Sequence, residues 1–489
     1  MPLQAWLDRT EVQPGAPGLC SLSVRRDEWR SLAEDVAAAG SRLVALWASA
    51  DRQNRPFLRA AYLTENFGIV ASTALGAADE PYDGIEDLFP ATSRMQRAIA
   101  DLTDFRSTDR DTRPWLRHDG PYEFVRVDGD GVHEIPVGPV HAGIIEPGHF
   151  RFSVVGEKVL RLEERLGYVH KGIEKRFTEF GLLDGHRLAA RVSGDSAVAY
   201  SWAYCQALEG MAGMEVPPRA AWLRALCLEC ERLSNHLGDL GALGNDAGFA
   251  FGLAQFSRLK ENLLRAMHEA LGARYLMAAV VPGGTRLDLV EPGATRLRST
   301  VLDLSREVVR LREIYDEHEG VRDRFNGAGA VPPVLAARLG LTGLAGRASG
   351  QAFDLRVDIP CVPYSELAPV KVGRNQGDVA ARVAVRFDEV LESCRLVQRI
   401  LDALPAGPHL ASVRLPSDGS IGIGLIEGWR GPVLVALEAG VDGAIRRCHP
   451  HDPSWQNWPV LEHAIIGNIV PDFPLINKSF NLSYSGHDL

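Results

Sequence analysis

The sequence predicts an α+β protein in which a small amino-terminal α+β domain precedes a large, mainly helical domain with β elements at both ends. Its 489 residues exceed the roughly 250 to 300 residues that one hydrophobic core usually serves, so we expect at least two cores. Strand and helix patterns alternate before residue 104. Long helical patterns dominate after residue 173, and strand patterns return near residue 411, an order typical of a helical bundle flanked by strands.

Composition and charge exclude several classes of protein. The chain is 46% hydrophobic and 24% charged, as in ordinary soluble globular proteins. Its formal net charge is -10 and no Lys/Arg run exceeds two residues, so a phosphate-binding surface is missing and we expect no nucleic-acid partner. The start of the chain lacks the pattern of a secretory signal, and no apolar stretch approaches the ~18 residues of a membrane span. We therefore expect an intracellular protein that does not cross a membrane by itself.

The first predicted domain covers residues 1–116. Helical spacing runs from Asp27 to Gly40, strands are predicted at 42–49 and 57–64, and another helix follows Pro90. The chain between 104 and 138 is polar and rich in Asp, Gly and Arg, which favours an extended connector, assigned to 117–137.

The second predicted domain covers residues 138–489. It opens with a β-hairpin whose turn is Val155-Gly-Glu-Lys158. Helices are predicted at 173–190, 196–212, 218–244, 254–272 and 293–319, and strands between 411 and 450. Among seven cysteines only Cys227 and Cys230 have ligand-like spacing. Because they lie within one helix without a second Cys or His pair, core packing explains them better than metal binding.

Several segments of the second domain resemble a known family. From about residue 135 onward the chain is similar to the large subunit of energy-converting [NiFe] hydrogenases and to the quinone-site subunit of respiratory complex I. The matching segments are Gly138–His141, Leu166–Lys175, Glu231–His236, Pro282–Leu289, Arg347–Gly350, Gly377–Arg382 and Glu427–Gly431. In the first domain, Asp87–Asp101 resembles the small docking subunit of complex I. That fusion is typical of the hydrogenase-4 and formate-hydrogenlyase type.

The resemblance implies a metal site whose ligands this chain lacks. Such hydrogenases hold nickel and iron through four thiolates, which suit these soft metals. The four positions are Ser193, Ser196, Ser483 and Gly486. Hydroxyl groups are poor ligands for low-valent nickel and glycine has no donor, so we expect no nickel or iron site and no active hydrogenase. Hydrogenase precursors are trimmed three residues after the last cysteine; this chain stops at Leu489, three residues after Gly486, so we expect no maturation step.

The quinone contacts of complex I are also replaced, while charged residues persist. By the same resemblance, Gly194 takes the place of the quinone-binding tyrosine and Ile145 that of a histidine. The candidate catalytic residues are Asp246, Arg430, His141 and His170. Asp246 is either a buried proton-relay carboxylate or the cap of a Gly-rich turn. Arg430 either orients a polar ligand in the cavity or forms a structural salt bridge. The two histidines fit loop-holding hydrogen bonds better than catalysis.

Glu174 is the candidate magnesium ligand. It lies 19 residues before Ser193, the spacing at which the hydrogenase family carries a carboxylate near a structural Mg²⁺, and a carboxylate oxygen is a suitable donor for that ion. The alternative is a helix-surface Glu paired with a neighbouring Lys or Arg. No other cofactor is assigned to this chain; an iron-sulfur cluster is expected in a partner subunit.

Two functions are compatible with these residues. The first is a redox subunit of a complex I-like or hydrogenase-4-like complex, peripheral on the cytoplasmic face of the cell membrane. There it would contact a small iron-sulfur subunit and antiporter-like membrane subunits, and couple electron transfer to quinone or another acceptor to ion translocation. The second is a non-catalytic scaffold that joins the same subunits. The complex I likeness also associates the chain with NAD-linked and quinone-linked enzymes.

Overall fold

A five-stranded sheet and two main helices form the amino-terminal unit. The protein is described by a computed structural model that covers residues 2–489. The elements are α1 (Pro2–Leu7), β1 (Glu11–Val12), β2 (Leu19–Ser23), α2 (Trp29–Ala38), β3 (Arg42–Ala50), β4 (Pro56–Leu63), β5 (Gly68–Ala74) and α3 (Thr92–Thr103). The sheet order is β1-β2-β5-β4-β3. Strands β2 and β5 are parallel, and the other neighbours are antiparallel.

The predicted elements of this unit are confirmed. Helix α2 lies within the predicted 27–40 and ends before Gly40, whose φ of +70° suits glycine. Strands β3 and β4 match their predicted ranges and pair as a hairpin. In the turn between them, the Asp51 carboxylate accepts hydrogen bonds from the backbone N–H groups of Gln53 and Arg55, each at 2.9 Å. A short acidic side chain that satisfies turn amides fixes this reversal.

A three-stranded antiparallel sheet opens the larger unit. It contains β6 (Val132–Val137), β7 (His149–Val155) and β8 (Lys158–Arg165), in that order. The predicted hairpin is confirmed as β7 and β8, and Gly156 in its turn has a φ of +58°. The predicted connector at 117–137 is wrong at its end, because its last six residues form β6. Strand β6 satisfies its backbone by pairing with β7.

Long helices make up the middle of the chain. The elements are α4 (Ile173–Phe177), α5 (His186–Ala189), α6 (Ala197–Met211), α7 (Pro218–Asp246), α8 (Ala250–Leu271), β9 (Val280–Val281), β10 (Gly284–Thr285) and α9 (Gly293–Glu317). Four of the five predicted helices are confirmed as α6, α7, α8 and α9. Helix α7 is buried around most of its circumference, as expected for a central helix. Cys227 and Cys230 are buried free thiols on α7, which fits core packing.

The predicted helix at 173–190 is wrong. The chain forms α4 and α5 with a break between them, where Gly181 and Gly185 lie. In the break, Gly181 forms a bridge with Ala444 and the Leu182 N–H donates to the Gly443 carbonyl at 2.8 Å. Glycine weakens a helix, and these long-range backbone bonds satisfy groups that a continuous helix would have paired internally.

The remaining elements close the domain. They are α10 (Glu319–Phe325), α11 (Pro333–Leu339), α12 (Gly343–Ala348), α13 (Leu355–Asp358), α14 (Tyr364–Leu367), α15 (Val379–Ala403), β11 (Ile421–Glu427), β12 (Pro432–Ala439), β13 (Ile445–His451), α16 (Ser454–Ala464), α17 (Phe473–Phe480) and α18 (Tyr484–Asp488). The predicted carboxy-terminal strands are confirmed as the sheet β11-β12-β13. A Cβ atom on Gly422 would lie 2.2 Å from the Ala207 carbonyl, so this glycine lets α6 approach the sheet. Across residues 2–489, no helix has the length and apolar composition of a membrane span.

The two units share hydrophobic cores instead of having one each. The largest cluster of buried apolar side chains contains residues of both units, and a second cluster joins Trp47 of β3 to Leu434 of β12. Backbone bonds also link them, because Ile423 donates to the Pro14 carbonyl at 2.9 Å and accepts from the Ala16 N–H at 2.7 Å. The expectation of at least two cores is confirmed, but the cores do not follow the boundary between the units, because the amino-terminal sheet covers the carboxy-terminal sheet.

Buried ion pairs cross the same interface. Arg94 of α3 binds Glu164 at 3.0 Å and Glu462 at 2.7 Å. The Arg94 and Glu164 side chains are 8% and 0% exposed. The Arg94 guanidinium also lies 4.6 Å above the ring of Trp115, and Trp115 is completely buried. Removing one partner of a buried ion pair leaves the other charge unpaired in the low-dielectric interior of the protein.

We predict that Arg94→Ala lowers the free energy of unfolding by about 3 to 5 kcal/mol, because Glu164 loses its cation while buried. Chemical denaturation of the full chain measures this. The matched control is Arg30→Ala in the same unit. Arg30 pairs with Asp87 near the surface, where their side chains are 33% and 58% exposed, so its loss should cost about 0 to 1 kcal/mol. Equal costs for the two variants would contradict a special role of Arg94.

Candidate functional site

The two segments that were predicted to replace the metal-binding cysteine pairs meet in space. Ser193 precedes α6 and Ser483 precedes α18, and 290 residues separate them. Their hydroxyl oxygens lie 2.8 Å apart and share a hydrogen bond. The Ser193 hydroxyl also donates to Asp195 at 2.8 Å, and the Ser483 hydroxyl accepts from the Gly486 N–H at 2.9 Å. The hydroxyl groups are therefore engaged with each other and with this short loop.

Gly486 lies against a buried carboxylate. A Cβ atom at Gly486 would be 2.6 Å from an oxygen of Asp452, closer than real contacts allow. The other bonds of Asp452 fix its place, because it accepts from the Tyr200 hydroxyl and the Ser454 N–H, both at 2.9 Å. A cysteine would not fit at Gly486 without displacing Asp452.

An arginine and a carboxylate form the charged centre of this site. Arg430, which follows β11, binds Asp195 through its guanidinium, with the shortest contact at 2.5 Å. It also donates to the Asn481 carbonyl at 2.6 Å and to the Ser196 hydroxyl at 3.4 Å. The guanidinium lies 4.2 Å above the neighbouring Trp429 ring, a favourable position for a cation. Arg430 thus ties the segments 193–196 and 481–486 together.

Asp195 itself is held from two sides. Its backbone carbonyl accepts from the Trp429 indole at 2.9 Å and from the Asn235 amide at 2.7 Å. Burial raises the pKa of the Asp195 carboxyl, but the Arg430 guanidinium outweighs this and brings the net pKa below its ordinary value. Asp195 is therefore a fixed anion at neutral pH.

Glu231 of α7 has the opposite electrostatic character. Its carboxylate accepts from the backbone N–H groups of Val198 at 2.7 Å and Ala199 at 3.2 Å. Burial raises the pKa of Glu231 to about 8 despite these bonds, and the Asp195 charge adds to the rise. Two carboxyl groups of one site thus prefer different protonation states at pH 7.

A cavity of about 160 Å³ lies beside these groups. Its wall includes Gly194, Asp195, Glu231, Asn235, Lys260 and Arg274. Gly194 is therefore part of the cavity, whereas Ile145 is 48% exposed in the loop before β7. Charged and polar side chains on several helices face one small space, so the site suits a small polar occupant.

The residues present do not fit a nickel-iron centre. Serine hydroxyls replace soft thiolate donors, and Asp452 fills the space that a side chain at Gly486 would need. Within residues 2–489, no cluster of three or more His, Cys, Asp or Glu side chains is arranged to hold a metal ion. The Arg430–Asp195 ion pair occupies the centre of the site.

Glu174 forms a buried ion pair. Its two carboxylate oxygens contact Arg447 at 2.8 Å and His449 at 2.5 Å. Burial raises the pKa of Glu174, but Arg447 and His449 outweigh it and bring the pKa to about 2. Both carboxylate oxygens of Glu174 are engaged, which favours the ion-pair alternative over a magnesium ligand. The pair differs from the expected surface pair in two respects: it is buried, and the partner residues come from β13.

The other candidate residues lie apart from Arg430. His141 packs edge-on against Phe150, with 5.5 Å between ring centroids. The Nδ1–H group of His170 donates a 2.8 Å hydrogen bond to the Asp488 carbonyl, which fits a loop-holding role. Asp246 is exposed at the end of α7, which disfavours the buried proton-relay alternative, although desolvation of its carboxyl still raises the pKa. Of the four, Arg430 alone has its contacts with the segment 193–196.

Asp195 is the important residue that the sequence reasoning missed. A signal was available: once the metal is lost, a buried Arg430 needs an anion. Asp195 is the acidic residue within Arg191–Ser196, directly between the two serines that replace ligands. The pairing itself depends on the 481–486 segment and on Trp429, which are distant in sequence.

Comparisons with known proteins agree with this fold. The family described as "Respiratory-chain NADH dehydrogenase, 49 Kd subunit" matches residues 246–418. Formate hydrogenlyase subunit 5 of Escherichia coli (strain K12) is 35% identical over 75% of this chain and 65% of that protein. Hydrogenase-4 component G of the same organism is 30% identical over 83% of this chain and 69% of that protein. The chain thus spans about two thirds of the length of these relatives.

A solved structure has the same fold. A chain in the structure titled as the membrane-bound sulfane sulfur reductase (MBS), an archaeal respiratory membrane complex, is 25% identical, with a TM-score of 0.68. The match covers 73% of this chain and 99% of that chain. The fold and the altered four-residue metal position define a large subunit of the hydrogenase type. The chain belongs to the family that unites [NiFe] hydrogenase large subunits with the 49 kDa subunit of complex I.

We predict that Glu174→Gln lowers the free energy of unfolding by about 3 kcal/mol at pH 7, since a pKa depressed from 4.5 to about 2 corresponds to about 1.4 kcal/mol per unit. Because the folded-state pKa is the lower one, this stability is present above pH 4.5 and is lost as the pH falls toward 2. Urea titrations of variant and parent at several pH values measure the difference, which should shrink over that range.

The control for this prediction is Glu157→Gln in the exposed turn of the β7–β8 hairpin, which should leave stability unchanged at each pH. The same experiment separates the two interpretations of Glu174. An ion pair predicts that adding Mg²⁺ or a chelator leaves the parent's melting temperature unchanged. A Mg²⁺-dependent rise that disappears in Glu174→Gln would restore the magnesium role, because a ligand stabilises the state it binds.

Proposed function

We propose that this chain is the large peripheral subunit of a membrane-bound, complex I-like oxidoreductase complex that works without a nickel-iron centre. The relatives support the class of complex, because their names are those of hydrogenase and NADH-quinone oxidoreductase subunits. The observation that carries the proposal is the Arg430–Asp195 ion pair at the former metal position. The proposed partners are a small iron-sulfur subunit, which supplies electrons, and antiporter-like membrane subunits. The proposed location is the cytoplasmic face of the membrane.

The proposed contribution of this chain is charge coupling. At neutral pH Asp195 is an anion and Glu231, with a pKa of about 8, keeps its proton. Both line the same cavity, and the charge of one acts on the other. An added negative charge in the cavity or in the neighbouring subunit strengthens the hold of Glu231 on its proton, whereas neutralising Asp195 lowers the proton affinity of Glu231. Electron arrival and proton transfer would thereby be linked through Asp195, Arg430 and Glu231.

The volume of the cavity limits the size of the electron acceptor that it can hold. Its volume is about 160 Å³, below the roughly 300 to 1,000 Å³ of pockets that enclose drug-sized ligands. Gly194, at the position of the quinone-binding tyrosine, offers no side chain for a quinone headgroup. We therefore propose a small polar acceptor in this cavity rather than quinone.

A scaffold without chemistry is the second candidate function. It is favoured by the hydrogen bonds of Ser193, Ser196 and Ser483, whose hydroxyl groups are all engaged within the protein. In that case the ion pair only holds the segments 193–196 and 481–486 together. The chain then joins the iron-sulfur subunit to the membrane arm and transmits conformational change between them.

The Asp195→Asn variant distinguishes the two functions. We predict that it assembles into the complex but lowers electron-transfer-driven ion uptake into vesicles by about ten-fold or more, because it removes the anion that pairs with Arg430 and that adds to the raised pKa of Glu231. Its pH profile should shift to lower pH for the same reason. The matched control is Asp246→Asn, which alters an exposed carboxylate and should retain full transport. A scaffold predicts full transport and an unchanged pH profile for both variants.

We also predict that the purified complex contains less than ~0.1 equivalent of nickel per copy of this chain, because thiolate donors are missing. Elemental analysis by mass spectrometry measures this, and electron transfer should proceed without hydrogen. One equivalent of nickel that co-purifies with this subunit would contradict the proposal.

A further inference from the structure

A cavity with a mixed apolar and cationic wall lies between the two units, and neither Arg430 nor Asp195 is among its lining residues. Its volume is about 320 Å³, at the lower end of ligand pockets, which run from about 300 to 1,000 Å³. One wall comes from β3 and α3 of the amino-terminal unit, and the other from α4, β13 and the last residues of the chain. We propose that this cavity binds a small amphipathic monocarboxylate. The proposal does not depend on the proposed function of the Arg430 site.

The amino-terminal wall is apolar. It is formed by Leu46, Ala48, Met95, Ala98, Ile99 and Leu102. Leu46, Ala48 and Met95 are at most 3% exposed, whereas Leu102 is 46% exposed. The cavity therefore has a closed apolar interior and a mouth at Leu102, where Lys175 and Thr178 are also exposed. Burying hydrocarbon against such a wall is favourable.

The opposite wall is rich in unpaired hydrogen-bond donors. Arg446, Arg447 and His449 follow one another along β13 and line the cavity. Nε and Nη1 of Arg446, Nε of Arg447 and Nε2 of His449 have no hydrogen-bond partner within residues 2–489. His449 is 7% exposed and stacks on Trp47, with 5.3 Å between ring centroids. Buried polar groups are usually paired, and guanidinium groups can only donate.

The acidic groups near this wall are already engaged. Glu174 is held by Arg447 and His449. Asp488 accepts from the Val169 N–H at 3.0 Å and contacts His487 at 2.8 Å, and the Leu489 carbonyl accepts from Lys171 at 2.8 Å. Glu438 is shared between Arg446 and Arg59, so one carboxylate serves two cations. Unpaired hydrogen-bond donors therefore outnumber free acceptors on this wall of the cavity.

These observations define the chemistry of the ligand. The unpaired donors belong to Arg446 and Arg447, so the polar end of the ligand must accept hydrogen bonds, and a carboxylate accepts without donating. The Arg446 and Arg447 side chains are 21% and 23% exposed, whereas their unpaired Nε and Nη1 atoms are themselves buried. The apolar wall requires that the remainder of the molecule be hydrocarbon. A short fatty acid or an aromatic acid meets both requirements.

Octanoate is the first probe, with octanol and octylamine as matched ligands that change only the headgroup. In calorimetric titrations of the full chain, we expect octanoate to bind at least ten-fold more tightly than octanol and octylamine. Shortening the chain from octanoate to heptanoate should weaken binding about four-fold, as expected for one buried methylene. Equal affinities for the three headgroups, or no octanoate binding, would overturn the proposal.

The Leu102→Glu variant tests whether the ligand binds in this cavity. Leu102 lies at the mouth of the cavity, so its replacement does not disturb the core. The added carboxylate should repel the ligand and weaken octanoate binding at least ten-fold. Leu302→Glu on α9 is the matched control, because Leu302 is likewise exposed, at 41%, and does not line the cavity; its affinity should equal that of the parent. If both variants bind octanoate as the parent does, the site lies elsewhere and the proposal is wrong.

Discussion

The large unit depends on a completely buried carboxylate, Glu389. It binds Arg232 at 2.6 Å, Arg347 at 2.7 Å and His236 at 2.9 Å. Arg347 also binds Glu427 of β11 at 2.8 Å. These side chains are at most 1% exposed. Because an unpaired buried charge is very costly, the pairs fix α7, α12, α15 and β11 relative to one another. That arrangement in turn places Arg430, three residues after Glu427, opposite Asp195.

The segments that carry the family resemblance are largely this framework. Arg232 and His236 belong to the segment 231–236, Arg347 to 347–350, and Glu427 to 427–431. Arg382 in the segment 377–382 is equally buried and binds Ser479 and the Gly329 carbonyl. The resemblance therefore rests on paired buried charges more than on reacting groups. A chain can lose its metal ligands and still require these residues to fold, which is why fold and family were predictable while the chemistry was not.

The sequence predicted the elements whose signals are local. The turn at Val155–Lys158 and the long apolar periodicities of α6 to α9 were sufficient for the strands and helices near them. It did not predict the break at Gly181, because the bonds that compensate for the lost helix come from Gly443 and Ala444. It did not predict the shared core either, since the contact of Trp47 with Leu434 depends on how two sheets pack. Within the site, the four altered ligand positions were found from resemblance, but the Asp195–Arg430 pair requires three dimensions.

Both places where the family would lead one to expect a metal ion now contain a guanidinium beside a carboxylate. Arg430 binds Asp195 at the former nickel-iron position, and Arg447 binds Glu174 at the candidate magnesium position. A guanidinium supplies the positive charge that a buried carboxylate needs. It has no vacant coordination position and does not change its oxidation state. These ion pairs provide electrostatic support for the fold that does not depend on a metal ion. In the proposed function, the electron is held by a partner or by a bound acceptor, and this chain acts on that electron through the charges and protons of its cavity.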